Sequence, residues 1–206
     1  MVRGKHIVIE GGDGTGKSTQ AEILRDRLRG AGLVVDLYPE PGKEGAEAVF
    51  RRLMTDPELN TDAIEDLLIV NASRAMTARR REAAQAAGEW AISDRSLISS
   101  VAMQGHAEGL DLDAVRSVSE LAARHWNPEL TLILSAPVDV IKARMAERGQ
   151  EDKFEQRGPE YHQAIIDGYE AERAYFGGIA VDASGTVAEV HEVIWEHVEP
   201  LVDAAP

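Results

Sequence analysis

The sequence predicts an α/β protein, a three-layer sandwich in which a five-stranded parallel sheet is flanked by helices on both faces. Three observations predict it. Five short apolar runs of strand length alternate with longer segments of helical period. A glycine-rich turn follows the first run and opens the first helix, and no repeat or low-complexity tract interrupts the 206 residues.

The strands are expected at His6–Glu10, Leu33–Leu37, Trp90–Ser93, Leu130–Ser135 and Ile179–Asp182. Strands that alternate with helices are joined by right-handed crossovers and buried on both faces. Helices begin near Ser18, Glu44, Asp62, Asp111, Pro137 and Pro159. Gly30 and Gly32 end the first; Asp62 with Glu65 caps a long helix that Gly88 ends. Pro137 suits a first helical turn, where its missing N–H costs nothing, and that helix runs through Ile141 and Met145 to Gly149. From Arg148 to Pro159 the chain is charged, glycine-flanked and nearly free of apolar residues, the composition of a mobile lid. No linker divides residues 1–206, which read as one domain with a lid at about 147–159.

A formal charge of −14 argues against a long nucleic-acid partner, which needs a broad basic surface. It leaves room for a small anion, because local backbone amides and a few arginines outweigh distant acidic charge. No apolar run approaches the ~18 residues of a membrane span, so no membrane partner is expected. The N-terminus runs from two basic residues and His6 into a short apolar stretch, which is not a signal peptide. The absence of cysteine excludes disulfide and thiol chemistry and fits a cytoplasmic location.

Gly11-Gly12-Asp13-Gly14-Thr15-Gly16-Lys17-Ser18 matches G-x-x-x-x-G-K-[ST], placed after a strand and before a helix as this phosphate-binding loop requires. The glycines let the backbone turn tightly and aim N–H groups at phosphate oxygens, and the helix adds its positive end. Lys17 can reach the β- and γ-phosphates of ATP, and Ser18 can ligate Mg²⁺. The fold class is therefore that of the P-loop NTPases. No N-K-x-D guanine-reading signature is present, which argues against a GTPase.

The order of the later motifs resembles bacterial thymidylate kinases over almost the whole chain. After HIVIEGGDGTGKST come EPG at Glu40–Gly42, a helix with Arg74, SDR at Ser93–Arg95 and SSVAMQG at Ser99–Gly105. NPELTLIL, ERGQEDKFE and VDAS follow. The resemblance implies an enzyme that phosphorylates dTMP with ATP and Mg²⁺, and a homodimer. It places Gly11, Gly14, Thr15, Gly16, Lys17, Ser18 and Thr19 around the ATP phosphates, with Arg144 and Ala183 at adenine. It puts Asp13 at the acceptor's 3′-hydroxyl, Glu40 and Pro41 beside the monophosphate, and Arg51, Arg74 and Arg95 around the acceptor phosphate. Asp94 would orient the metal through water or hold an arginine. Because Thr15 stands where part of the family carries an arginine, the resemblance implies catalytic cations from the lid, Arg148 and Lys153. Arg51 competes for its role with Arg52, and Arg79, Arg80 and Arg81 read as a solvated helix face.

Departures from the family pattern cluster in the acceptor pocket. Val70 stands in place of the phenylalanine that stacks on thymine, Met103 in place of a tyrosine near the sugar, and Ser96, Pro39 and Lys43 also differ, while Ser100 and Gln104 still match positions facing the base. A missing aromatic face removes ~1–3 kcal/mol per stacked base. The sequence therefore leaves open a kinase for another pyrimidine nucleoside monophosphate, or an ATP-binding paralogue without transfer activity.

Overall fold

A computed structural model describes residues 2–56, 58–149 and 153–204. Five strands, β1 (His6–Gly11), β2 (Val35–Pro39), β3 (Trp90–Asp94), β4 (Leu130–Ser135) and β5 (Ile179–Asp182), form one sheet in the order β2-β3-β1-β4-β5. Every pairing is parallel. The helices are α1 (Lys17–Gly30), α2 (Gly45–Thr55), α3 (Ala63–Ala86), α4 (Leu97–Ser100), α5 (Leu112–Ala123), α6 (Val138–Arg148), α7 (Pro159–Arg173) and α8 (Val187–Asp203). A π-helical segment, Val101–Ala107, continues α4.

Alternation along β1 divides the core. Ile7 and Ile9 face α1 and α8, where they pack with Leu24, Leu28, Leu132, Ile194 and Val198. Ile133 faces the opposite layer, formed by Val70 of α3 and residues of α4, the π-helical segment and α7. Glu10 also points into this second layer, where it accepts hydrogen bonds from Ser96 Oγ (2.5 Å), Ser99 N (3.2 Å), Ser99 Oγ (2.7 Å) and Tyr169 Oη (2.9 Å). A fully buried carboxylate is tolerable only with such a set of donors.

Four expectations change. The second strand begins at Val35 rather than Leu33, because Leu33 N bonds back to Leu28 O and is committed to ending α1. Pro137 lies one residue before α6 with extended backbone, not in its first turn. The sequence reading passed over α4 with its π-helical continuation, and also α8, whose start is fixed by a Thr186/Glu189 capping box. Arg81 is not solvated: it is 1% exposed, donates to Ala123 O and lies 5.8 Å from the Trp126 ring centroid, while Arg80 pairs with Glu47. The Asp62–Glu65 capping box and the left-handed Gly149 at the end of α6 match the expectation.

Gly168 lets α7 approach the π-helical segment, since a Cβ there would lie 2.9 Å from His106 Cβ and 3.1 Å from Ala102 Cα. Gly168→Val is expected to destabilise the protein by ~1–3 kcal/mol, the usual cost of overpacking. Urea unfolding checks this, and an unchanged midpoint would show that the contact is slack.

Candidate active site

The loop between β1 and α1 owes its shape to left-handed glycines. At Gly14 (φ 77°) a Cβ would meet Ile141 O at 2.8 Å, so the loop rests directly on α6. Thr15 Oγ1 donates to Gly12 O at 2.8 Å, which closes the turn. Lys17 Nζ donates to the same carbonyl at 2.7 Å and lies 3.7 Å from Asp13. Burial lowers the Lys17 pKa and Arg95 adds to the fall, while Asp13, Asp94 and Glu10 oppose it. A 500 Å³ pocket runs from this loop along α6 to the β5–α8 turn, lined by Gly14, Thr15, Gly16, Thr19, Arg144 and Ala183 among others. Arg144 donates to Ala183 O (2.7 Å) and Gly185 O (2.9 Å), so its guanidinium braces that turn.

Arg95 follows β3 with φ 75°, a left-handed conformation uncommon for a residue with a side chain. It pairs with Asp13 and donates to Gly11 O (3.3 Å) and Ser99 Oγ (3.2 Å). Burial alone would raise the Asp13 pKa, but Arg95 and Lys17 overcome it and hold the carboxyl at about 2. The stabilisation from ionised Asp13 is thus complete above the ordinary carboxylate range and is lost as pH falls through about 2. A 630 Å³ cleft opens beside this pair, lined by Lys17, Ser18, Glu40, Lys43, Arg51, Asp94, Arg148 and Glu155 among others. Ser18 Oγ donates to Asp94 Oδ2 at 2.5 Å.

A 90 Å³ cavity leads inward from the cleft, bordered by Asp13, Pro41, Arg51, Val70, Arg74, Arg95, Ser100, Met103, Gln104 and Phe154 among others. Arg51 donates to Pro41 O at 3.1 Å and lines both spaces, whereas the Arg52 side chain is 83% exposed; the structure separates the two. Arg74 is buried and its nitrogens are engaged. Nε donates to Glu40 (2.7 Å), Nη1 to Asn71, and Nη2 to Ser96 O (2.9 Å) and Ser100 Oγ (3.0 Å). Burial nonetheless pushes the Glu40 pKa up.

The described residues of the expected lid divide between the two sides. Arg148 lines both the loop pocket and the cleft and pairs with Glu155. Lys153 does not join them: its Nζ pairs with the buried Asp66 carboxylate at 2.8 Å and with Thr61. Residues 150–152 of the expected lid lie outside the described residues.

A model of the thymidylate kinase family matches residues 9–194. Thymidylate kinase of Rhizorhabdus wittichii is 36% identical, covering 98% of this chain and 99% of the relative. That of Pseudomonas fluorescens is 35% identical over 98% of each, and that of Chromobacterium violaceum 33% over 98% and 96%. The chain belongs to the thymidylate kinase family. It is a nucleoside monophosphate kinase by that membership.

Within this thymidylate kinase site, Ser18 and Asp94 fit a magnesium ion. Ser18 spends its proton on Asp94, which leaves lone pairs for a cation, and two protein oxygens suit an ion that keeps waters and phosphate ligands. No group of three or more His, Cys, Asp or Glu residues that could cage a metal occurs among the described residues. Sequence reasoning missed Glu10, Tyr169, Glu155 and Phe154. Glu10 reads as the last residue of the strand before the phosphate loop and Tyr169 lies in a helix with no quoted motif; Phe154 looked like one apolar residue in a charged segment, yet it is 4% exposed and packs in the second-layer core.

Arg74→Ala strands the Glu40 carboxylate in the interior. A loss of about 3–5 kcal/mol in unfolding free energy is expected, against a smaller loss for Glu40→Gln. Denaturant titration of both variants is the measurement, and equal losses would mean that the pair is not the load the buried geometry implies.

Proposed function

We propose that the chain transfers the γ-phosphate of ATP to dTMP, giving dTDP and ADP. One observation carries this reading: Asp13 borders all three cavities, the loop pocket, the cleft and the inner cavity, so a donor phosphate and an acceptor phosphate would meet in the cleft between Lys17 and Arg95. The family match and the thymidylate kinase relatives support thymidine monophosphate as the acceptor.

In this reading the loop amides and Lys17 hold the triphosphate, and adenine lies between Arg144 and the Ala183 turn. Ser18 and Asp94 hold Mg²⁺, which when bound would neutralise charge on the transferring group. The acceptor phosphate oxygen is already anionic, so no side-chain nucleophile or general base is needed. Arg95 and Arg51 offset the repulsion between the two anions, and Arg148 adds charge at the junction. Arg74 fixes Glu40 and Ser100 in the acceptor wall with four of its five N–H donors engaged, and it borders the inner cavity where the acceptor phosphate would lie. Lys153 must leave Asp66 before it can serve as a catalytic cation. Phe154 is an aromatic ring in the acceptor wall, which it shares with Val70 and Met103, and it would lie against the nucleoside.

Residues 1–206 are taken to act as one domain with residues 147–159 as its lid. The exposed apolar pair Ile64 and Leu68, one turn apart on α3, supports a homodimer through that helix, which light scattering tests. No helix among the described residues is long and apolar enough to cross a membrane, which agrees with a cytoplasmic enzyme.

A coupled assay across nucleoside monophosphates should show turnover of dTMP, with Lys17→Ala lowering kcat on the order of 10²–10³-fold. Phe154→Ala is expected to raise the KM for dTMP about 5- to 150-fold and to leave the KM for ATP unchanged. Turnover of another pyrimidine monophosphate but not dTMP would replace the acceptor. ATP binding with no turnover of any monophosphate would leave a regulator.

A further inference from the structure

Glu10 is fully buried near the end of β1, and the transfer step described above does not use it. Its Oε1 accepts from Ser96 Oγ at 2.5 Å and from the Ser99 N–H at 3.2 Å. Its Oε2 accepts from the Ser99 and Tyr169 hydroxyls, at 2.7 and 2.9 Å, and those two oxygens lie 2.8 Å apart. Both hydroxyls also face Arg95. Arg95 Nη1 donates to Ser99 Oγ at 3.2 Å and to Tyr169 Oη at 3.4 Å, beside Gly11 O at 3.3 Å, while Nη2 takes Asp13. The cluster joins β1, α4, α7 and the turn after β3. The close approach of α7 at Gly168 sets the next residue, Tyr169, within reach.

Proton supply fixes the polarity of this cluster. A guanidinium only donates and a carboxylate only accepts, so the two hydroxyls between them pass their hydrogens toward Glu10 and keep lone pairs for Arg95. Burial and Glu10 push the Tyr169 phenol well above its usual range against the pull of Arg95, so its proton is retained. We infer that Glu10 is a positioning residue for phosphoryl transfer: through the Ser99 and Tyr169 hydroxyls it holds one arm of the Arg95 guanidinium, and so sets the cation that faces the two phosphates.

Glu10→Gln reverses that polarity with little change of shape. The Ser99 N–H cannot turn, so the amide oxygen takes the place of Oε1 and the NH₂ group that of Oε2. Ser99 and Tyr169 must then accept from the amide and turn their hydrogens toward Arg95, donor against donor. Tyr169→Phe is milder: it removes one of the two acceptors and keeps the ring.

The inference rests on the transfer reading above, and coupling to Arg95 tests it. Steady-state constants are measured for wild type, Glu10→Gln, Tyr169→Phe, Arg95→Ala and the two double variants. Misdirected hydrogen bonds to a charged group should lower kcat about 10- to 100-fold in Glu10→Gln and less in Tyr169→Phe, with the KM for ATP within about 2-fold of wild type. In the Arg95→Ala background the same substitutions should change kcat by less than about 2-fold, because the group they position is gone. A merely structural role would lower kcat as much again. Nitrogen-15 spectra of the Arg95 guanidinium, assigned by their loss in Arg95→Ala, read the grip without substrate. The Nη signals should be separate in wild type and averaged by rotation in Glu10→Gln. Thermal melts establish folding, and Tyr169→Phe carries the test if Glu10→Gln does not fold. Additive losses of kcat, or unchanged Arg95 signals in the folded variants, overturn the inference. A wild type whose Arg95 signals respond as expected but which transfers no phosphate overturns the transfer reading alone.

Discussion

Because β1 and β3 run parallel and in register, with Ile9 opposite Asp94, the two segments that carry the central charges leave the sheet side by side. Gly11 and Arg95 are thereby neighbours before any side chain has chosen a rotamer, and Arg95 N bonds to Ile9 O at 3.0 Å as the ladder's last rung. A parallel sheet places such loops at its carboxyl edge, and the point where the strand order reverses around β1 is where the crevice opens. Both the phosphate loop and the arginine opposite it depend on that ladder.

Around it the protein handles charge by pairing. The chain is strongly acidic overall, yet its crevice gathers Lys17, Arg51, Arg95 and Arg148. Their mutual repulsion is balanced locally by Asp13, Asp94, Glu40 and Glu155, a mixed lattice rather than a bare basic patch. An arriving phosphate can therefore exchange partners with a carboxylate instead of meeting unscreened cations. Deeper in, the ion pair Arg74–Glu40 is almost fully removed from water and fixes part of the acceptor wall, while Lys153 reaches a buried Asp66 behind it.

Much of this was legible in the sequence, for stated physical reasons. The phosphate loop is legible because its spacing is a backbone requirement, and the three central strands because burial on both faces demands continuous apolar runs. The Asp62–Glu65 cap declared a helix start, and the structure bears it out. What escaped depends on tertiary contact. Arg81 looked solvated within a triplet of arginines, but α3 turns that position toward Trp126. The helix α8 has good spacing in Val190, Ile194 and Val198, but it follows the last strand, where alternation no longer asks for an element. Lys153 was assigned by position in a motif, and position does not show that Asp66 lies within reach. Phe154 escaped for the opposite reason, since a single apolar residue has no periodicity.

Gly14, where a methyl group would collide with the Ile141 carbonyl, has a mechanical implication. The phosphate loop and α6 lie so close at that point that no side chain fits between them, which sets Arg144 and Arg148, both on α6, beside the loop pocket. The donor half of the crevice is therefore prebuilt. Any larger side chain at position 14 would press α6, and with it both arginines, away from the phosphate loop.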